Sequence, residues 1–481
     1  MAASDHQITE VSIVPHTHWD REWYAPFQTY RLALVHLIDG LLDLMEGDPA
    51  YTRFLLDGQT AVIDDYLEVR PAAAPRIERL VRDGRLQVGP WMVLMDEFMV
   101  SGETIVRDLQ LGIRRTRELG GDATVGYLPD MFGHVAQMPQ ILRLAGIEHA
   151  VVWRGVPSAV DRTAFWWQAP DGSRVRAEYL YGSYANGRDL PPDPALLVAR
   201  ARGYEAELGP AAFPGAPVLL MNGSDHLLPQ PHLGALVTAA NAAQRDDGDD
   251  DGDDGQCDHH FTIRSLAEHV NTQPTDGLTT WTGELRSGAR ANVLMGVASN
   301  RVDVHQLCAA AERSLERGAE PLSALLLPAA DYPHALLGIA WRNLVLNSAH
   351  DSSCACSHDE VVEAVRVRYQ EARHLGDALA DDALRALGRE VDAPAGAVVV
   401  VNPTARTRAG TITVQVPGSG SLHLQCVDDG AFHRAHVVGE STGMGIDATV
   451  TGTKVRWVVE MMRGPELAGQ RITSVERTDR D

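Results

Sequence analysis

The sequence predicts an α/β fold: a parallel sheet or barrel in the N-terminal half, then a helical bundle, then β structure. Three observations predict it. Over the first 270 residues, strand-length apolar runs alternate with helical patterns, and strand–helix–strand repetition implies parallel pairing. From about Asn300 to Arg389 apolar residues recur at three-to-four spacing, as buried helix faces require. From Val398 the alternation has period two, which is a strand pattern.

In chain order, the strand-length runs are VSIVP from Val11, RFLLD from Arg53, LQVGP from Leu86, ATVGYLPD from Ala123, HAVVWRG from His149, RVRAEYLYGSY from Arg174, APVLLMNG from Ala216 and HFTIRS from His260. RLALVHLIDGLLDLMEG and MPQILRLAGI are helical patterns between them. RDDGDDDGDDGQCDHH, from Arg245, holds eight aspartates and cannot bury a core, so it reads as a mobile surface loop. It lacks the Asp-x-Asp-x-Asp-Gly spacing and terminal glutamate of a calcium loop. VDVHQLCAAAERSLERGAEPLSALLL, HALLGIAWRNLVLNSAH and DEVVEAVRVRYQEARHLGDALADDALRALGRE read as three long antiparallel helices. AVVVVNPTARTRAGTITVQVP, SLHLQCVDD and ATVTGTKVRWVVEMM read as strands. The expected domains are 1–285, a catalytic barrel; 286–392, a helical bundle; and 393–481, a β-rich domain with too few strands to be complete.

Composition excludes some function classes. The 481 residues carry 42 basic and 65 acidic side chains, a formal charge of −23. Such a surface repels nucleic acid and anionic lipid. Lys454 is the only lysine, a bias produced by an AT-poor genome or a high-salt cytoplasm. Five cysteines (Cys257, Cys308, Cys354, Cys356 and Cys426) make no disulfide framework, which implies a reducing compartment. No signal peptide and no apolar run of about 18 residues is present. A cytoplasmic location is expected.

The chemistry concentrates at strand ends. HTHWDREW, His16 to Trp23, follows the first strand. Alternate residues of an extended segment share a side, so His16, His18 and Asp20 face one way. Imidazole and carboxylate there suit a divalent metal. Asp130, Arg154 and the Ser224-Asp225-His226 run end other strands, and in parallel α/β folds these ends converge on one face. His350 and Asp351 close an apolar helix in NSAHDSSCACSHDE. The CAC triplet has no second cysteine pair at zinc-site spacing.

Taken together, HTHWDREW, LDGQT, VGPWMVLMDEFMVSGET, GYLPDMFGH, VWRG, NGSDH, GELRS and AHDSSCACSHDEV resemble, in order, glycoside hydrolase family 38, the retaining zinc-dependent α-mannosidases. The bacterial or archaeal branch fits best. The resemblance spans roughly residue 11 to residue 370. It implies a parallel seven-stranded distorted (β/α) barrel, a three-helix bundle and the start of a β-sandwich region. It implies one Zn2+ held by His18, Asp20, Asp130 and His350, with positions left for two sugar hydroxyls. Asp130 matches the nucleophile, Asp225 the general acid/base, and Arg154 an arginine beside the nucleophile. Asp351 matches a sugar-contacting acid. His16 is not a family ligand and is expected to support the site or touch substrate.

The implied activity is exo-acting hydrolysis of terminal α-D-mannosyl residues through a glycosyl-aspartate intermediate, on an oligosaccharide or on mannosylglycerate. Retention needs two carboxyl groups about 5–5.5 Å apart. Asp130 should be held ionised by the metal and Arg154, and Asp225 kept protonated by a less polar environment. Trp19, between two ligands, is the expected pocket wall. Two other readings stay open: a zinc-dependent carbohydrate deacetylase-like hydrolase, and an inactive sugar-binding fragment. The expected partner is a mannoside, without nucleic acid or membrane; a homo-oligomer or a separate C-terminal β-domain chain is compatible.

Overall fold

The computed structural model describes residues 8–246, 259–392, 398–406, 410–416, 420–428, 433–441, 459–462 and 470–471. The aspartate-rich loop, apart from its first two and last two residues, lies outside them, as do the C-terminal tail and most of ATVTGTKVRWVVEMM. The chain divides into two compact units, Met1–Glu312 with Gly338–Arg373 and Arg313–Leu337 with His374–Asp481.

The first unit contains β1 (Thr9–Thr17), β2 (Phe54–Leu56), β3 (Leu86–Gln87), β4 (Val125–Leu128), β5 (His149–Val152), β6 (Ala164–Gln168), β7 (Arg174–Tyr179), β8 (Val218–Asn222), β9 (His259–Ile263) and β10 (Thr280–Thr282). They form two five-stranded sheets. One runs β3-β2-β1-β8, with β9 also on β1; the other runs β10-β6-β7-β5-β4. All pairings are parallel except β6 with β7. β1 from Val11 onward, β4 and β8 are buried at every position, which is why they read as unbroken apolar runs instead of alternating ones.

Helices cover these sheets. Phe27–Gly47 buries Leu34, Leu37, Ile38, Leu41, Leu42 and Met45 on one face. Gly102–Glu118 starts where Ser101 Oγ accepts the Thr104 N–H at 3.1 Å; Glu103 lies in its first turn and Arg115 and Arg117 in its last. Those charges match the helix dipole. A separate core joins the two sheets: Val14, Leu55, Val125, Tyr127, Val151, Leu180, Leu219 and Met221 pack together. The C-terminal ends of β1, β2, β4, β5 and β8 therefore open on one side of that core.

Some expected runs are shorter. LQVGP pairs over Leu86–Gln87 only, because Gly89, at φ 69°, and Pro90, with no N–H, cannot extend the ladder. β6 and β10 were hidden in aromatic, turn-flanked sequence. VDVHQLCAAAERSLERGAEPLSALLL forms Val302–Arg313, a π-helical turn Ser314–Ala319 and Glu320–Leu326. His334–Leu346 and Asp359–Glu390 are the other long helices.

In the second unit, Gly410–Val416, Gly420–Asp428 and His433–Ser441 form an antiparallel sheet. Val398–Val401 pairs in parallel with Val459–Met462, which pairs with Gln470–Arg471. Among the described residues, no helix is long and apolar enough to cross a membrane, and Cys308, Cys354 and Cys356 are free thiols.

Candidate metal centre and active site

β1 and β8 continue past their ladder to bring the first site residues together. His18 N–H donates to Ser224 O at 3.1 Å and His226 N–H to His18 O at 2.8 Å, which sets Asp225 beside His18. Gly223 allows this approach, since a Cβ there would lie 2.0 Å from His16 O.

Four side chains converge at this end. His18 Nε2 lies 3.2 Å from Asp20 Oδ1 and 3.8 Å from Asp130 Oδ2. His350 Nε2 lies 3.3 Å from Asp20 Oδ1 and 3.7 Å from Asp130 Oδ2. The other nitrogen of each ring is committed: His18 Nδ1 is 3.1 Å from Asp57 Oδ1, and His350 Nδ1 is 3.1 Å from Leu94 O. That assigns each Nδ1 as the N–H and leaves each Nε2 to carry either a proton or a metal, the arrangement seen around metal-bound histidines. His18 Nε2 and Asp20 Oδ1 are buried without a hydrogen-bond partner. His18, Asp20 and His350 each offer a ligand atom within 4.8 Å of the others. Two imidazole nitrogens with carboxylate oxygens are a donor set that fits a zinc-type cation.

The electrostatics agree with that fit. Burial works against the imidazolium of His18, but Asp57 and Asp20 outweigh it and raise its pKa well above the usual range. Burial likewise opposes charge on His350, while Asp351, Asp20 and Asp130 push it up to about 10. Burial would raise Asp20, yet His18 and His350 hold it well below the carboxylate range. Asp20, Asp57, Asp130 and Asp351 are all buried, so this pocket calls for positive charge, supplied by protons on the rings or by a metal in their place.

Asp130 follows β4. Its Oδ1 accepts from Arg154 Nε at 2.5 Å, and Arg154 Nη1 donates to Asn292 O at 2.6 Å. Burial pushes the Asp130 carboxyl up, and Arg154, His350 and His18 reverse this only in part. Arginine alone therefore does not give the strong depression expected for a nucleophile. Gly155, at φ 84°, lets the segment after Arg154 cross Leu285, whose carbonyl oxygen would be 2.1 Å from a Cβ. That close crossing joins VWRG to GELRS.

Asp225 is exposed, not set in the less polar surroundings expected of it. It stands at the strand end, where the chain turns through His226 at φ 55°. Tyr184 O–H donates to Asp225 Oδ1 at 2.8 Å, and the Tyr184 ring lies 5.0 Å from that of His18. Tyr184 thus spans from the acid to the metal ligands. Asp351, pushed up to about 8 by burial, accepts from Cys356 Sγ at 3.1 Å and lies 3.7 Å from His350 Nε2.

One expectation needs correction. Trp19 is 3% exposed and belongs to the main apolar core, so it offers no face to a sugar. Its backbone N–H instead donates to Asp57 Oδ2 at 2.7 Å. His16 Nε2 is 2.8 Å from the backbone oxygen of Tyr184, the residue whose hydroxyl holds Asp225. Aromatic rings nearer solvent are Trp23 and Tyr24, stacked at 3.8 Å, and Tyr30, 4.4 Å from the His226 ring.

Sequence reasoning assigns no role to Asp57, Glu97 or Glu22. Asp57 had a signal: an Asp-Gly pair directly after a strand parallel to β1. Glu22 had none, since its partners Ser352, at 2.7 Å, and Arg368 are far along the chain.

Comparison with known proteins gives the same picture. Residues 8–269 match the glycosyl hydrolases family 38 N-terminal domain, and residues 292–387 the alpha mannosidase middle domain. A putative mannosylglycerate hydrolase of Halalkalibacterium halodurans is 32% identical over 378 residues, covering 75% of this chain and 40% of that protein. Human alpha-mannosidase 2C1 is 28% identical over 427 residues, covering 86% and 38%. The chain thus spans about two fifths of the length of these curated relatives. The crystal structure of an alpha-mannosidase from Enterococcus faecalis superposes with a TM-score of 0.76 at 31% identity, over 87% of this chain and 47% of that one. With more than half of its residues matched to the family's N-terminal domain, this chain belongs to glycosyl hydrolase family 38.

Proposed function

We propose that this chain carries the catalytic centre of a retaining, exo-acting α-mannosidase that removes terminal α-D-mannosyl residues, from an oligosaccharide or from mannosylglycerate. The observation that carries the reading is the meeting of His18, Asp20, Asp130 and His350 with both Nδ1 atoms committed elsewhere. These four residues would hold Zn2+. When bound, the ion supplies the positive charge that keeps Asp130 ionised and a Lewis acid for the sugar hydroxyls.

Asp130 attacks the anomeric carbon as the glycosidic C–O bond breaks, and Arg154 orients its carboxylate through Oδ1. Asp225 gives its proton to the leaving oxygen, then takes one from the water that cleaves the glycosyl-aspartate ester. Tyr184 holds Asp225 in line through its O–H. Asp351, next to a ligand histidine, is the group available to a sugar hydroxyl.

The two sheets are read as the walls of one distorted seven-stranded barrel, β1-β2-β3-β4-β5-β7-β8, since residues from both share the core around Tyr127 and Met221. Domain limits at 285 and 392, a three-helix bundle between them and a cytoplasmic location, suited to free thiols, belong to the same proposal. The test is metal analysis of the purified chain with hydrolysis of a panel of α-mannosides before and after chelation. Bound zinc and chelator-sensitive release of mannose are expected. Zinc with release of acetate from acetylated sugars, and no mannosidase turnover, would overturn the reading in favour of a deacetylase.

A further inference from the structure

The loop that leaves Asp130 runs on to a buried, hydrogen-bonded histidine–glutamate pair. His134 Nδ1 lies 2.6 Å from Glu97 Oε1, and Val135 N–H donates to Glu97 Oε2 at 2.8 Å. Neither side chain of the pair has any exposed surface. The stretch just before Glu97 holds the other end of the site. His350 N–H donates to Leu94 O and Asp96 N–H to Ser348 O, both at 3.0 Å, and the same Leu94 oxygen orients the His350 ring. Asp96 Oδ1 accepts the N–H groups of Phe98 and Met99 at 2.9 and 3.1 Å, which stiffens the turn. Residues Leu94 to Glu97 therefore grip the Asp130 loop by a side chain and the His350 segment by the backbone.

The pair is poorly built for stability alone. Two groups that can charge are taken fully out of water, and apolar residues in their place would serve the core as well or better. His134 Nε2 is buried with no partner, which adds a further cost. What the pair does supply is a fixed link between the Asp130 loop and the stretch whose backbone holds the His350 segment.

We propose that Glu97 is a positioning residue: clamped on His134 and Val135, its carboxylate fixes Asp130 at the distance from His350 that a shared cation requires. This rests on the metal site described under the proposed function. It concerns a group that touches neither metal nor substrate.

The test compares the wild-type chain with Glu97→Gln, His134→Asn, the double variant and Trp167→Leu. Trp167 packs its ring 5.7 Å from that of His134 and donates to Gly283 O, so its loss loosens the same core without touching the carboxylate. Zinc affinity is read by competition with a chromogenic chelator, kcat and KM on p-nitrophenyl α-mannoside at saturating zinc, and folding by thermal melt. Glu97→Gln should weaken zinc binding about 10–100-fold and lower kcat over a similar range, as such outer partners do, with KM changed less than about twofold. The double variant should lose no more zinc affinity than the weaker single one, since the two act as a unit. Trp167→Leu should lower the melting temperature and leave zinc affinity unchanged. Should Glu97→Gln fail to fold, His134→Asn reads the same quantity. Wild-type zinc affinity and kcat in Glu97→Gln, or an equal zinc loss in Trp167→Leu, would overturn this inference alone. A wild-type chain that holds no divalent cation would overturn it together with the functional reading.

Discussion

Asp130 and Asp225 carry the same functional group into opposite surroundings. Asp130 is buried between Arg154, His18 and His350, whereas Asp225 is exposed and held by one tyrosine. Asp130→Ala should abolish turnover and also weaken zinc retention, because it removes a ligand oxygen. Asp225→Ala should cut kcat by about 10²–10⁴ and leave zinc bound. Metal content and kcat measured on both variants check this, and equal metal loss in the two would defeat the division of roles. His16 and His18, two residues apart, show how little spacing settles at this scale. His16 lies on β1 and His18 just past its end, yet His16 bonds to Tyr184 O while His18 faces Asp20. The sign of a histidine's contribution is equally invisible until burial is known. His269 is fully buried against Gln273, and burial pushes it down to about 3. Its folded pKa lies below the unfolded value of about 6.5, so its contribution is complete above pH 6.5 and is lost as pH falls toward 3. The loss should reach about 2 kcal/mol at pH 5. Urea melts at pH 7 and pH 5 on the wild type and His269→Gln should show the variant losing less stability over that interval.

Elements were legible where burial is uniform and obscure where local sequence competes. β1, β4, β5 and β8 are short apolar runs closed by polar residues, and each ends where its polar side chain enters the site. β6 was missed because AFWWQ pairs backward with β7 and breaks the strand–helix–strand rhythm that exposes the others. The helices of 302–390 follow their apolar period, except at Ser314–Ala319, where a π turn precedes Pro321. No pattern announces that turn, because proline restricts the residues before it without naming the hydrogen-bond step they adopt. The junction of β1 with β8 offers a direct test of how an element positions chemistry. Gly223→Ala would drive a methyl group to 2.0 Å from His16 O, so the two strand ends must separate. A loss of about 1–3 kcal/mol is expected from such overpacking, measured by denaturant melts. Because Asp225 is placed by this crossing, kcat should fall more than KM rises. A variant destabilised to that extent with unchanged kcat would mean that Tyr184 alone positions the acid.

For the whole molecule, net charge and buried charge point the same way. An excess of 23 negative charges disfavours polyanions in general, and the burial of Asp20, Asp57, Asp130 and Asp351 concentrates acid where the proposed cation would sit. Sequence counts the first quantity but not the second, since the four acids come from separate stretches and only the fold buries them together. The consequence is thermodynamic. A ligand that binds the folded chain alone stabilises it by about 4 kcal/mol at 1,000 times its Kd, and a unit of this size converts that into a rise of several degrees in Tm. Melts with added zinc and with a chelator should differ by that amount at pH 7. The difference should shrink as pH falls, because protons compete for the nitrogens that the metal needs, and the raised folded pKa values of His18 and His350 mean that this competition already operates at pH 7. Asp130→Ala should also shrink it, whereas Asp225→Ala should keep it whole. A chelator-induced drop that is the same in Asp130→Ala as in the wild type would place the stabilising ion elsewhere in the molecule, and the four convergent side chains would then need another explanation.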